Sequence, residues 1–323
     1  MMNNNLITRP LFFLSCIFLP LFAFTASIPL TGSFLQLDGS NLNWKEEDWK
    51  KELYYMKAIG MDTLIIGAVA FESYAYYPSR FLPLYQPCGT KDPVGTILSL
   101  AEKLKMDVYL GLFGWDWKDK GSEADFQKFA ELNIKVAKEL YHLYSSSPRF
   151  KGWYILTWEI GNAPPPDNVA VRAYLKVIAN LRKLTPKKKI IIAPYFTLDI
   201  SPEEIENGWK KLLEVLDVDV VAFQDGVGCD RGIKPGDVPK YFEAMKRACD
   251  AHKVELWGDL EVFDILAGWK PAKIERVKEQ IEKMSPFVRK IVIFEFNHYM
   301  SPLKGEEQRK LYNDYKKFLS LIR

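Results

Sequence analysis

Histidine is scarce in this chain: 323 residues contain three, His142, His252 and His298. They are scattered, the first two on predicted helices, so a metal centre built from clustered imidazoles is not expected. No cofactor is implied either. Glycine-rich phosphate signatures are missing, and GVGCDRG at 226–232 has no helix directly behind it to form a phosphate nest. No serine or cysteine stands in a nucleophile motif paired with histidine. A dominant charge is also lacking: 44 basic and 41 acidic side chains leave +3, too little to imply a nucleic-acid partner.

One long apolar run is present, Leu11 to Phe24, preceded by the lone charge of Arg9 and followed by the small residues Thr25, Ala26 and Ser27. A basic start, a short apolar stretch and a small-residue exit describe a secretory signal peptide over residues 1–27. The alternative is an uncleaved N-terminal anchor, but the run falls short of the ~20 residues of a membrane span and Pro20 interrupts it. The expected destination is the periplasm, the cell surface or the medium, with no membrane span left after cleavage. Without Arg9, residues 28–323 hold 43 basic and 41 acidic side chains, a charge of +2. Their cysteines, Cys88, Cys229 and Cys249, are odd in number and lack zinc-site spacing, so they read as structural.

What the remainder does have is a pattern repeated eight times: a strand-like run, a polar turn and an amphipathic helical stretch. The strands read as 32–38, 62–69, 107–113, 152–159, 189–196, 218–225, 254–261 and 290–297. Runs such as IIIA and VDVVAF are apolar on both faces, as a covered parallel sheet requires. Between them, residues 45–59 place Leu53, Met56 and Ile59 on one face, and 123–144 do the same with Phe126, Phe129, Leu132 and Val136. Ser201-Pro202-Glu203-Glu204 reads as an N-cap, a first-turn proline and two acids at a helix start. Eight such units without a compositional break predict an α/β fold with one domain over 28–323, a single (β/α)8 TIM barrel.

Chemistry in such a barrel belongs at the C-terminal ends of the strands. That rule selects Gln36 and Asp38 after strand one, and Trp115, Asp116 and Trp117 after strand three. Glu159 ends strand four, Tyr195 strand five, and Gln224 with Asp225 strand six. Strand seven supplies Trp257, Asp259 and Glu261, and strand eight Glu295, Asn297 and His298. Alternation along strand seven turns Trp257, Asp259 and Glu261 inward. The same test on strand eight puts Val292, Phe294 and Phe296 against helices, with Glu295 and Asn297 inward. Inward carboxylates are costly to bury unpaired, and acids at the tops of four strands favour a ligand-facing floor over core ion pairs. Glycosidic cleavage needs one carboxylic acid to protonate the leaving oxygen and a second carboxylate to attack or to activate water. Glu159 and Glu261, across the mouth from each other, suit those roles, and Trp158 would help raise the Glu159 pKa by excluding water. Phe71, Tyr74, Tyr76 and Tyr77 after strand two add aromatic faces of the kind sugar rings pack on, as do Trp115, Trp117, Trp257, Tyr195 and Tyr299.

GSFLQ at 32–36, GWYILTWEI at 152–160, APYF at 193–196, FQDGVG at 223–228, WGDLEVF at 257–263 and HYMSP at 298–302 resemble an uncharacterised family of glycoside-hydrolase-like barrels, domain of unknown function 4434. The resemblance runs from about Thr31 to Pro302. It implies a TIM barrel and a carbohydrate partner. The chain is more loosely similar to retaining glycosidases whose acid/base and nucleophile are glutamates after strands four and seven, positions matched by Glu159 and Glu261. That clan carries Asn before its acid/base, where this chain has Trp158, so Asp225 stays a competitor for the role. The expectation is an exported glycosidase, with Glu159 and Glu261 catalytic. Gln36, Trp115, Trp117, Tyr195, Gln224, Asp225, Trp257, Asp259, Glu295, Asn297 and His298 would bind the sugar. The alternative is a catalytically silent carbohydrate-binding barrel of a cell-surface glycan system.

Overall fold

The computed structural model describes residues 28–116, 118, 120–156 and 160–322. Eight parallel strands close into one barrel: β1 (Leu30–Leu35), β2 (Thr63–Ile66), β3 (Asp107–Gly111), β4 (Phe150–Ile155), β5 (Lys189–Ile192), β6 (Val220–Gln224), β7 (Glu255–Glu261) and β8 (Lys290–Phe294). Each lies within one of the eight strand-like runs or overlaps it, and β8 pairs back onto β1. Helices α1 (Glu46–Ala58), α2 (Pro93–Leu104), α3 (Glu123–Tyr144), α4 (Val169–Leu184), α5 (Pro202–Val215), α6 (Val238–His252) and α7 (Ile274–Met284) fill the crossovers. A short α8 (Phe296–Tyr299) and a long α9 (Glu306–Ile322) follow β8. The protein is therefore a single (β/α)8 barrel.

Local chemistry accounts for the helix starts. Ser122 and Ser201 each accept a bond from the third helical N–H, and Asp125 and Glu204 reach back to close capping boxes. Asp92 caps α2 ahead of Pro93. The predicted apolar stripes are the buried ones: Leu53, Met56 and Ile59 are fully covered, and Phe126, Phe129 and Val136 lie against the barrel. Glycines allow the closest approaches. A Cβ on Gly111 would sit 1.4 Å from the Gly67 carbonyl oxygen, and one on Gly258 1.9 Å from Met284 Sδ.

One side chain from each strand plugs the barrel: Phe34, Ile65, Tyr109, Tyr154, Ile191, Val220, Trp257 and Val292. This plug corrects the expectation for strand eight. Val292 and Phe294 face the interior, whereas Ile291 and Ile293 join the outer core beneath the helices. Lys290–Phe294 is apolar on both faces after its lysine, so the strand itself carries no alternation that tells inside from outside. The chain leaves the sheet after Phe294 and turns into α8, and strand parity no longer applies there.

The leader assigned to residues 1–27 lies outside the described residues. Among the described residues no helix is long and apolar enough to cross a membrane, and Cys88, Cys229 and Cys249 are free thiols.

Candidate functional site

A cavity of about 560 Å³ opens at the C-terminal mouth over β1 to β4 and β8, with Gln36, Asp38, Phe71, Tyr76, Trp115 and Phe294 on its walls. Tyr154 and Phe34, the top of the barrel plug, also line it. The Trp115 ring packs on Phe113 and Phe129, with the Lys120 ammonium 5.1 Å from its centroid. Aromatic walls with a few polar groups are the usual make-up of a small-molecule site.

Behind this wall runs a chain of charged groups. Asp38 Oδ2 lies 3.0 Å from His298 Nε2, and His298 Nδ1 makes a short contact with Glu295 Oε1. Glu295 Oε2 accepts the Gln36 N–H at 2.8 Å, tying strand one to the start of α8. Asn297 is fully buried and donates to the Gln36 carbonyl at 3.4 Å, beside the shorter bond from Asn41 at 2.7 Å. Burial alone would lower the His298 pKa, but its bonds to Asp38 and Glu295 outweigh that and raise it to about 9. For Asp38 burial pulls upward, yet the hydrogen bonds from His298 and Ser40 hold the carboxyl well below the ordinary range. Glu295 is shifted upward by its burial, against the pull of His298.

The acids of strands six and seven form a second assembly, next to the cavity but not lining it. Glu261 is 3% exposed. Its Oε2 accepts the Gly228 and Cys229 N–H groups at 2.7 and 3.0 Å, and Oε1 accepts the Cys229 thiol at 3.3 Å. Asp225 points away from the mouth, toward α7, where Gln280 Nε2 donates to it at 2.6 Å; its other oxygen accepts the Val227 and Glu261 N–H groups. Asp259 is buried, and its Oδ1 has no hydrogen-bond partner. Burial raises the pKa of all three, and the Glu261 charge adds to the rise at Asp225 and Asp259. A protonated Asp259 is the form such a site tolerates.

The remaining candidates are dispersed. Tyr195 is half-buried between Gly161 and Arg231, whose guanidinium lies 4.1 Å from its ring centroid. Gln224 donates to the Ala193 carbonyl at 2.7 Å. Trp257 belongs to the plug, edge-on to Tyr109, with its indole N–H bonded to Glu255 toward the opposite end of the barrel. Tyr77 leaves the rim and bonds to Glu139 of α3. Trp117, Trp158 and Glu159 lie outside the described residues. No group of metal-ligating side chains occurs among the described residues.

Two residues not foreseen from the sequence organise the second assembly, Arg276 and Gln280, and the charge of a third, Arg231, opposes the upward shift of Glu261. Arg276 donates to the Val227 and Glu261 carbonyls at 2.9 and 3.2 Å, pinning the segment that covers Glu261. A signal was present for Gln280, a polar residue within the buried stripe of Ile274, Val277, Ile281 and Met284.

None of the curated proteins compared with this chain matches it. Among solved structures, a candidate alpha-L-fucosidase from Bacteroides thetaiotaomicron superposes with a TM-score of 0.77 at 24% identity, covering 91% of this chain and 96% of its own. An intracellular xylanase from Thermoanaerobacterium saccharolyticum gives 0.52 at 13% identity, with coverage of 84% and 86%. The endo-1,4-beta-mannanase from Rhizomucor miehei gives 0.56 at 10%, with 91% and 95%. At these identities the likeness establishes the barrel fold alone. The family match spans residues 30–306, and the chain belongs to the family described as domain of unknown function (DUF4434).

Proposed function

We propose that this protein is an exported glycoside hydrolase that cleaves an oligo- or polysaccharide by a retaining, two-carboxylate mechanism. The observation that carries the reading is the aromatic cavity at the strand ends, with Asp38 on one wall and Phe294 on another. Phe294 is the register partner of Glu261 in the β7–β8 ladder, so the nucleophile candidate stands one strand from the cavity. In this mechanism Glu159 protonates the leaving oxygen while Glu261 attacks the anomeric carbon and forms a glycosyl ester. Glu159 then takes a proton from water, which displaces Glu261. The Gly228 and Cys229 N–H groups orient the Glu261 carboxylate. They also cover it, so attack requires the segment between Gly226 and Gly232 to withdraw. Both glycines have positive φ, +66° and +71°, a backbone region that other residues rarely enter.

That cover favours a second reading, a carbohydrate-binding barrel without catalysis in which Glu261 only anchors the loop. Reducing-end release from a panel of plant and microbial glycans separates the two. Release by the native protein, abolished in Glu261→Gln and Glu159→Gln variants that melt like the parent, supports the hydrolase. Undiminished release by Glu261→Gln removes the nucleophile assignment. Binding without release leaves the silent barrel.

A further inference from the structure

We infer that the cavity selects the charge of its sugar: it takes a glycosyl unit that is neutral or carries an amino group, and rejects uronic acids and sulfated sugars. This rests on the cavity being the sugar site, as proposed above. Among the described residues lining it, the charged side chains are Asp38 and Asp116, both acids. Three cations near it among the described residues are already engaged. His298 lies between Asp38 and Glu295. Lys120 pairs with Glu72 at 3.3 Å and donates to the Asp116 carbonyl. Lys304 donates to the Ser40 carbonyl and hydroxyl at 3.2 and 2.9 Å. An anionic sugar would therefore meet carboxylates with no unengaged cation among these groups to receive it.

Asp38 is the group that reads the charge. Its side chain is 44% exposed. The Ser40 N–H at 2.8 Å occupies one oxygen and His298 the other. An ionised carboxylate offers about four acceptor positions, and with the Ser40 hydroxyl also bonded to it about one is left on this cavity-lining group. His298, itself anchored on buried Glu295, fixes the direction of that carboxylate and keeps it ionised. A sugar ammonium or a single hydroxyl can be received there, whereas a sugar carboxylate cannot be paired.

The test uses the full chain and three probes of similar shape, glucosamine, glucose and glucuronate, with binding followed by saturation-transfer NMR and competition. The expected order is glucosamine tightest, then glucose, with glucuronate weakest. Asp38→Asn should erase the glucosamine preference over glucose, a loss of about tenfold or more for a charge-assisted bond. Glucuronate binding as tightly as glucosamine, or a preference that survives Asp38→Asn, overturns the inference while leaving the sugar site standing. If none of the three sugars binds, the sugar reading of the cavity fails and the inference with it. A retained charge ranking in a protein that releases no product would remove the hydrolase reading alone.

Discussion

Replacing Glu52 by Gln should stabilise the protein at neutral pH and flatten its dependence on pH. Glu52 lies on α1 and is fully buried. Its Oε2 accepts the Ser301 hydroxyl at 2.5 Å, and its Oε1 has no partner. Burial pushes its pKa from 4.5 to about 8, against the opposing pull of Ser301. A carboxyl raised on folding contributes fully below its unfolded pKa, and that contribution is lost as pH climbs toward the folded value. Between about pH 4.5 and pH 7 the loss amounts to roughly 3 kcal/mol, at 1.36 kcal/mol per unit. Gln keeps an acceptor for Ser301 and cannot ionise, but its amide lacks a partner, which costs about 1–2 kcal/mol. The net gain at pH 7 is therefore about 1–2 kcal/mol, shrinking or reversing near pH 5 and growing toward pH 8. Urea unfolding of both proteins across that range measures it. Parallel stability curves would refute the argument and mean that Glu52 stays ionised in the fold, balanced by nearby Lys304.

Two further outcomes are expected. The His298 imidazole should titrate near pH 9 by NMR and fall toward its ordinary value in Asp38→Asn; its raised pKa contributes stability that is complete below about pH 6.5 and lost as pH passes through about 9. A native His298 titrating near 6.5 would contradict the bridge. Gly111→Ala drives a Cβ into the Gly67 carbonyl and should cost on the order of 3 kcal/mol or prevent folding, whereas an unchanged thermal midpoint would show that strands β2 and β3 have slack there.

The barrel was legible because its signals repeat: eight apolar runs, amphipathic stretches between them, and Ser122 and Ser201 marking helix starts. Strand β7 could be oriented because polar and apolar residues alternate along it, which turned Asp259 and Glu261 inward. Strand β8 could not, since both of its faces are covered and both are apolar. Position at a strand end found the acids, but not their directions once the chain left the sheet. Asp225 turns outward because Gln280 on α7, three elements later, supplies a bond that no local pattern encodes. Glu295 is drawn to the Gln36 N–H across 259 residues of sequence. Trp257 looked like a rim aromatic and fills the barrel instead, since an indole is large enough to close the space between Tyr109 and its neighbours.

The two-carboxylate account is tested most directly by a crystal structure with an oligosaccharide bound, in which the separation of the Glu159 and Glu261 carboxyl groups is measured. The account predicts about 5 Å, with the glycosidic oxygen between them and the 226–232 segment drawn back; about 6.5–9.5 Å would replace retention by inversion. A sugar seated in the cavity with Glu261 still covered by Gly228 and Cys229, and farther from Glu159 than either range, would contradict the account and leave a barrel that binds carbohydrate without cutting it.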